Sequence, residues 1–147
     1  MIIHHHGRFS YDHHATFSLP NGMALNDAAE GSDENRIELI APDKSFRLVI
    51  SFFRSDKDAE TFLQEAYDEL RTEGKPAPEI RAIETPMGLH GYTTTYDPHH
   101  EIYEEYVIEL PGEPRALLNF WFWRRKDEPY DAVLYSSAKI ELLAGIF

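Results

Sequence analysis

The amino-acid sequence predicts an α+β fold: a three-layer α/β/α sandwich with a central antiparallel sheet of about six strands and one main helix on each face. Two segments, Phe46 to Phe53 and Ala116 to Arg124, are apolar on both alternating faces, which is typical of central strands that are covered on both sides. Only two segments show a helical apolar period. The other strand-like segments are joined by short turns, which favours antiparallel pairing.

Three strand-like segments precede the first helix, and they are Ala15 to Leu19, Arg36 to Ile40 and Phe46 to Phe53. The first ends at the turn residues Pro20-Asn21-Gly22, and the second ends at Ala41-Pro42-Asp43-Lys44. The polar segment Asn26 to Asn35 between them is predicted to be a loop.

The first helix is predicted to follow Ser55-Asp56-Lys57-Asp58, which has the form of a capping box with Asp58 in the place usually taken by Glu. Apolar residues then recur on one helical face: Ala59, Phe62, Leu63, Ala66, Tyr67 and Leu70. Gly74 and Pro76 predict the end of this helix.

Four strands are predicted next: Glu79 to Thr85, His90 to Tyr96, Glu101 to Leu110 and Ala116 to Arg124. Pro111-Gly112-Glu113-Pro114 predicts a hairpin between the last two. The final helix is predicted to start with Asp127 as its N-cap and Pro129 in its first turn. Its expected buried stripe is Tyr130, Val133, Leu134, Ser137 and Ala138. From Ile140 onward the pattern favours neither helix nor strand.

The chain has 147 residues, and that length predicts a single domain spanning 1–147. It has no cysteine, which excludes disulfides, thiol catalysis and thiolate metal sites. No apolar run reaches the ~18–20 residues of a membrane helix, so no membrane span is predicted. The first residues, Met1 to His6, have neither the basic nor the apolar region of a secretory signal, so we expect a cytoplasmic protein.

Acidic residues dominate the charge of the chain. Its 14 Lys and Arg against 26 Asp and Glu give a net charge of −12 with histidine neutral. Phosphate backbones are bound mainly by Lys and Arg, and the longest basic cluster, Arg124-Arg125-Lys126, is followed at once by Asp127 and Glu128. Nucleic-acid binding is therefore not expected.

Histidines occur in clusters and give one candidate site. Four of them are candidate ligands for a divalent metal: His13, His14, His99 and His100. Asp97 or Glu101 would complete the site if the fold brought the two pairs together. Adjacent histidines in a turn point in different directions, however, so the simpler interpretation is that the pairs do not aim at one ion.

No motif for catalysis or for cofactor binding occurs in the sequence. Glu104 alternates with Glu105 and Glu109, so it points away from them, and a solvated strand face is the simpler interpretation. There is no Gly-x-Ser-x-Gly elbow, no Gly-x-Gly-x-x-Gly turn and no Walker lysine motif. We therefore predict no catalytic residue and no cofactor.

Aromatic residues give the second candidate site. Trp121 and Trp123 share one face of their strand, and tyrosines lie on the neighbouring predicted strands. They either fill the space beneath a helix or line a groove for an apolar peptide or helix. The candidate protein-binding residues are Trp121, Trp123, Tyr92 and Tyr103.

The order of elements resembles the PsbP-like superfamily. The resemblance is carried by Phe17-Ser18-Leu19-Pro20-Asn21-Gly22-Met23, by Phe46 to Ser51, by a helix from Ala59 to Arg71 and by a final helix near Ser136-Ser137. That superfamily includes extrinsic subunits of photosystem II, Ran-binding guanine-nucleotide-release factors and bacterial domains of unknown function. Met23 replaces the usual aromatic residue, and the following loop is longer and more acidic.

The resemblance implies an antiparallel sheet sandwiched by helices and used mostly for protein binding. Some bacterial relatives act as chaperones for hydrophobic segments of secreted effectors. Our first hypothesis is accordingly a non-enzymatic protein-binding or adaptor domain of chaperone-like character. The alternative is a metal-dependent or small-ligand-binding enzyme that uses the histidines. The identity of a protein partner is not predicted, and both a monomer and a homodimer remain open.

Overall fold

The computed structural model of the chain describes residues 2–5, 8–11, 15–18, 20–25, 36–98, 100–112 and 115–146. Within these ranges the protein has an α+β fold with a seven-stranded antiparallel sheet, a separate three-stranded antiparallel sheet and three helices. The predicted loop Asn26 to Asn35 and residues 113–114 of the predicted hairpin lie outside the described residues.

The first part of the chain forms the three-stranded sheet, with strands in chain order: β1 (Ile2–His5), β2 (Arg8–Tyr11) and β3 (Ala15–Ser18). The sequence predicts the strand that begins at Ala15 but neither of the two before it. Ile2-Ile3-His4-His5 has no alternation of apolar and polar residues, and a four-residue strand is too short for a period to stand out.

The main sheet contains the remaining strands: β4 (Ala24–Leu25), β5 (Arg36–Ile40), β6 (Phe46–Arg54), β7 (Ile80–Glu84), β8 (His90–Tyr96), β9 (Glu101–Leu110) and β10 (Ala116–Arg125). Their order across the sheet is β4-β5-β6-β10-β9-β8-β7. Strands β6 and β10 pair with each other and have a neighbour on their other side, so the predicted central position of both is confirmed. Six of the predicted strands lie in this sheet, and the two-residue β4, which pairs with β5, is the seventh. The predicted strand that begins at Ala15 lies instead in the separate sheet.

The outer strands of the main sheet are short. Strand β4 has 2 residues and β7 has 5. Pro76 and Pro78 precede β7, and Pro86 follows it. Proline has no N–H to donate to a further strand, so these residues limit the length over which the β7 edge can pair.

Two hydrophobic clusters occupy opposite sides of the main sheet, because side chains alternate along each strand. Leu118, Phe120 and Phe122 of β10 belong to the larger cluster, which includes residues of helix α3 (Ala132–Ala144). Leu117 of β10 belongs to the smaller cluster, which includes residues of helix α1 (Ala59–Ala66). We call these two sides of the sheet the α3 face and the α1 face.

The first predicted helix is divided into α1 and a short helix α2 (Asp68–Thr72), which meet at Tyr67. The N-cap of α1 is Asp58, whose carboxylate accepts a hydrogen bond from Thr61 N at 2.8 Å. The predicted first residue, Ala59, is confirmed, but the capping residue is Asp58 and not Ser55. The predicted end is confirmed, since Gly74 has a φ of +73° and Lys75 N donates to Leu70 O at 2.8 Å, a Schellman arrangement.

The final helix also starts later than predicted. Its N-cap is Asp131, which accepts from Leu134 N at 3.0 Å, and not Asp127. Its buried residues are Tyr135, Ala138 and Leu142, whereas Val133 of the predicted stripe is 82% exposed. The helix continues through Ile140, which is 67% exposed. The sequence pattern is ambiguous from this residue onward because apolar residues lie on both the buried and the exposed side of α3. Among the helices of the described ranges, none is long and apolar enough to cross a membrane.

Candidate functional site

The α1 face of the main sheet is covered by helix α1 over only part of its width. Helix α1 contacts β7, β8 and β9, and its buried Leu63 packs in a cluster with Val107 of β9. Trp121 and Trp123 lie on the same face of β10, farther along the strand, and both are partly exposed. Neither indole belongs to either hydrophobic cluster of the described residues.

Strand register brings five side chains together on this part of the α1 face, which we call the indole surface: Arg36, Arg47, Tyr103, Trp121 and Trp123. Trp123 lies opposite Arg47 of β6 on one side and opposite Tyr103 of β9 on the other. Trp121 lies opposite Val49, which is buried and forms part of the floor. Because β10 is hydrogen-bonded to a strand on each side, the backbone that carries the two indoles is held in place on both sides.

A guanidinium group lies over each indole ring. The Arg36 Cζ is 5.5 Å from the Trp121 ring centroid, and the Arg47 Cζ is 5.2 Å from the Trp123 ring centroid. A cation at this distance from an exposed ring contributes roughly 0.5–1 kcal/mol. Arg47 is also 3.7 Å from a Glu38 carboxylate oxygen. The indole surface therefore combines aromatic area with two cationic groups.

Tyr103 joins the indole surface through hydrogen bonds and ring contacts. Its hydroxyl donates to the Glu101 carboxylate at 2.8 Å, and its ring stacks against Tyr96 with centroids 6.4 Å apart. Burial and the hydrogen bond to Glu101 raise the pKa of the Tyr103 hydroxyl, while a hydrogen bond with Trp123 lowers it. The hydroxyl therefore stays protonated at neutral pH, and its one proton is donated to Glu101.

Tyr92, the fourth predicted binding residue, lies elsewhere on the α1 face. It pairs with Val107 of β9 and packs against the cluster beneath α1. The charge of Glu60 on α1 raises the pKa of the Tyr92 hydroxyl. The structure thus brings together Trp121, Trp123 and Tyr103 but places Tyr92 in the part that α1 covers.

A buried polar junction separates the two parts of the α1 face. The Glu105 carboxylate accepts from the Tyr67 hydroxyl at 2.8 Å and from Asn119 Nδ2 at 2.9 Å. Asn119 also donates to the Tyr106 carbonyl at 3.1 Å. Burial raises the pKa of Tyr67, and the nearby charge of Glu105 raises it further. The junction fixes the end of α1 and so fixes where the indole surface begins.

The predicted metal site falls almost entirely outside the described residues, which include His100 but not His13, His14 or His99. The His100 side chain is 87% exposed, and its Nδ1 is 3.5 Å from an Asp127 carboxylate oxygen. Both proposed co-ligands are engaged, since Asp97 pairs with Lys126 at 3.0 Å and Glu101 accepts from Tyr103. No group of three or more potential metal ligands occurs among the residues that the structure describes. The metal hypothesis stays a prediction.

The environment of Glu104 differs from the one that the sequence predicts. Glu104 lies on the α3 face, away from Glu105 and Glu109 as predicted, but it is not on a solvated face. Its carboxylate accepts from the hydroxyls of Tyr106 and Tyr135 at 2.6 Å each and from Lys139 Nζ at 2.9 Å. Tyr135 and Lys139 share one side of helix α3 because they are four residues apart, but only the packing of α3 on β9 brings the Glu104 carboxylate to them.

The Glu104 network ties helix α3 to strand β9. Burial by itself would raise the pKa of Glu104, but the hydrogen bonds from Tyr106, Tyr135 and Lys139 outweigh burial and hold the pKa below its ordinary value. Both oxygens of the carboxylate accept hydrogen bonds from donors. This arrangement serves packing and stability.

The chain matches no protein-family model, and no curated protein matches it. Several solved structures are similar to it, and two of them are described here. A protein from Bacteroides thetaiotaomicron shares 12% sequence identity over 91% of this chain with a TM-score of 0.49, and this chain spans 44% of that protein. LpqN, which is involved in cell envelope biogenesis of Mycobacterium tuberculosis, shares 15% identity over 90% of this chain and 82% of its own length, with a TM-score of 0.46. Both similarities are too weak to carry an argument about function.

Proposed function

We propose that this chain is a non-enzymatic protein-binding domain of adaptor or chaperone type, which binds an apolar segment of a partner protein on the indole surface. One observation carries the proposal. The only two tryptophans of the chain lie side by side outside both hydrophobic clusters, each beneath a guanidinium group. The proposal includes the finer architecture that the sequence predicts, which is a three-layer α/β/α sandwich of the PsbP-like kind. In this architecture helix α1 covers one part of the α1 face of the main sheet.

The residue types of the indole surface support a binding role. Residues whose truncation weakens protein complexes most are enriched in Trp, Tyr and Arg, which are the types that make up this surface. Large aromatic side chains of a monomeric protein are more often buried beneath a helix. Trp121 and Trp123 are instead only partly buried and pack against arginine side chains that can rotate away.

Charge indicates the chemistry of the partner segment. The chain has a net charge of −12, so it repels acidic proteins over most of its surface. Arg36 and Arg47 place two cationic groups at the indoles, and Glu38 pairs with Arg47. The best complement is a short apolar or aromatic segment flanked by Asp or Glu. Its apolar side chains would lie on the indoles while its carboxylates pair with the two guanidinium groups.

A selection from displayed random peptides tests the proposal. Enriched peptides are expected to combine apolar or aromatic residues with acidic ones. Their affinities, measured by fluorescence anisotropy of dye-labelled peptides, are expected to fall at least about tenfold for Trp121→Ala and for Arg36→Gln, a loss of ~1.4 kcal/mol. Binding is also expected to shift the tryptophan emission, which comes only from Trp121 and Trp123.

Two control variants keep this experiment selective. Lys75→Gln removes an exposed cation that pairs with Glu73, and Tyr92→Phe alters the predicted residue that α1 covers. Both are expected to retain full affinity. Equal binding of the selected peptides by the double variant Trp121→Ala/Trp123→Ala, or a selection without enrichment, would contradict the proposal.

A further inference from the structure

A second surface of the protein has the composition of a small-ligand site. An open cavity of about 640 Å³ lies where β6 ends and β10 begins. Phe53 and Phe62 form its apolar wall, with ring centroids 4.9 Å apart and planes inclined at 40°. The volume falls within the range of cavities that hold small organic molecules, roughly 300–1,000 Å³.

The rim of this cavity is cationic in an otherwise acidic chain. Arg54, Lys57 and Arg115 line it, and Asp56 is the one carboxylate among the lining residues. Lys57 is neutralised by its ion pair with Glu65. Within the described ranges, Arg54 and Arg115 form no ion pair, so two guanidinium groups are available to a ligand.

A second carboxylate near the rim, that of Asp58, is already engaged. Asp58 lies close enough to Arg115 for the two charges to interact, but its carboxylate caps α1 by accepting from Thr61 N at 2.8 Å. Arg115 is further held by its backbone, since its carbonyl accepts from Ser55 N at 3.1 Å. Arg115 therefore lies beside the phenylalanine pair, and among the residues that the structure describes its guanidinium has no ion-pair partner of its own.

We propose that this cavity binds a small organic acid, with its carboxylate paired to Arg54 and Arg115 and its apolar group against Phe53 and Phe62. Arginine presents a planar fork of donors that matches a carboxylate in a bidentate manner. The adjacent phenylalanine rings favour a flat apolar group over a hydrated one. Both features together select a carboxylate carried on an aromatic or aliphatic group.

This site is separate from the indole surface, although both use strands β6 and β10. Phe53 and Val49 are four residues apart on β6, which is about 13 Å at the rise of a strand. Val49 lies opposite Trp121, whereas Phe53 lies opposite Leu117. Either site can therefore be inactivated without altering the other, and the failure of one proposal does not imply the failure of the other.

Nuclear magnetic resonance with the ¹⁵N-labelled full chain tests the site. The probes are 3-phenylpropanoate, its neutral amide and inorganic phosphate. The acid is expected to cause saturable shifts in the amides of residues 53–57 and 115, with at least about tenfold weaker binding of the amide and of phosphate. Arg54→Gln and Arg115→Gln are each expected to weaken binding of the acid at least fivefold, while Arg125→Gln leaves it unchanged.

Each alternative outcome overturns the proposal. Equal affinity for the acid and its amide would exclude a role for the guanidinium groups. Equal affinity for phosphate would exclude a role for the phenylalanines. Shifts that are absent, lie elsewhere or persist in both arginine variants would show that the cavity does not bind such acids. The arginine side chains are exposed, so these variants are expected to fold, and their amide spectra verify this directly.

Discussion

Replacement of Glu104 by glutamine tests whether the buried carboxylate holds helix α3 on the sheet. Each hydrogen bond to a charged group contributes roughly 1.5–3 kcal/mol, and Glu104 accepts from three groups, Tyr106, Tyr135 and Lys139. Glutamine keeps one acceptor oxygen, which retains a neutral bond of about 1 kcal/mol. The Lys139 side chain is 28% exposed, so its ammonium group recovers part of its hydration. We expect the free energy of unfolding to fall by about 3 kcal/mol at pH 7.

The stability difference between the two proteins depends on pH in a defined direction. The pKa of Glu104 is held below its ordinary value of 4.5 in the folded state, so the unfolded chain takes up the proton first. The stabilisation is therefore fully present above the unfolded-state pKa and is lost as the pH falls through the folded-state pKa. Glu104→Gln, which cannot titrate, should lose less stability on acidification than the parent protein.

Urea unfolding followed by circular dichroism measures both effects. Glu128→Gln is the matched control, because its ion pair with Arg125 is exposed and contributes about 0–1 kcal/mol. If Glu104→Gln lay within about 0.5 kcal/mol of the parent, comparable to a neutral surface substitution, the network would not stabilise the fold. A difference that grew as the pH fell below 4.5 would refute the argument from the pKa.

Three further predictions concern other parts of the chain. Gly91→Ala would place a Cβ 2.5 Å from the Val107 carbonyl oxygen, so urea unfolding should show a loss of about 3 kcal/mol, and a neutral effect would contradict this close approach. Asp131→Ala should destabilise the protein by about 1 kcal/mol and Asp127→Ala by less than half of that, and the reverse order would restore Asp127 as the N-cap. Calorimetric titration with zinc tests the histidine alternative, since tight one-to-one binding that is lost in His99→Ala and His100→Ala would favour it, whereas unchanged heats in these variants would dismiss it.

The sequence predicts the centre of the sheet better than the ends of its helices, for physical reasons. Phe46 to Phe53 and Ala116 to Arg124 are apolar on both faces, and such a strand has a stable place only in the covered interior of a sheet. Several residues near the start of a helix can serve as its N-cap, and contacts with residues far away in the sequence determine which one does. Glu109 on β9 accepts from Ala59 N at 3.1 Å, which fixes the start of α1.

The start of α3 illustrates the same limit. Asp127 and Asp131 are both acceptable N-caps by local criteria. Ser45, 86 positions earlier in the chain, accepts from Asp131 N at 3.2 Å and so favours the later start. A single sequence does not reveal such pairs, because they depend on the final packing of the elements.

The candidate site shows a similar division. Trp121 and Trp123 are predicted correctly to share a face, because alternation along one strand is a local property. Arg36 and Arg47 come from β5 and β6, and their position over the indoles depends on strand order and register. Tyr92 is predicted to lie with the indoles only because it is aromatic. In the structure α1 covers Tyr92 but does not extend over the indoles.

The short outer strands of the main sheet determine how two copies of the chain can associate. A second molecule that docked along β7 would gain at most a five-residue ladder between prolines, and the two-residue β4 offers still less. Repeated addition of copies edge to edge, the route to fibrils, therefore has no adequate template at either margin. Two copies that associated through the main sheet would therefore have to use its side-chain faces and not its edges.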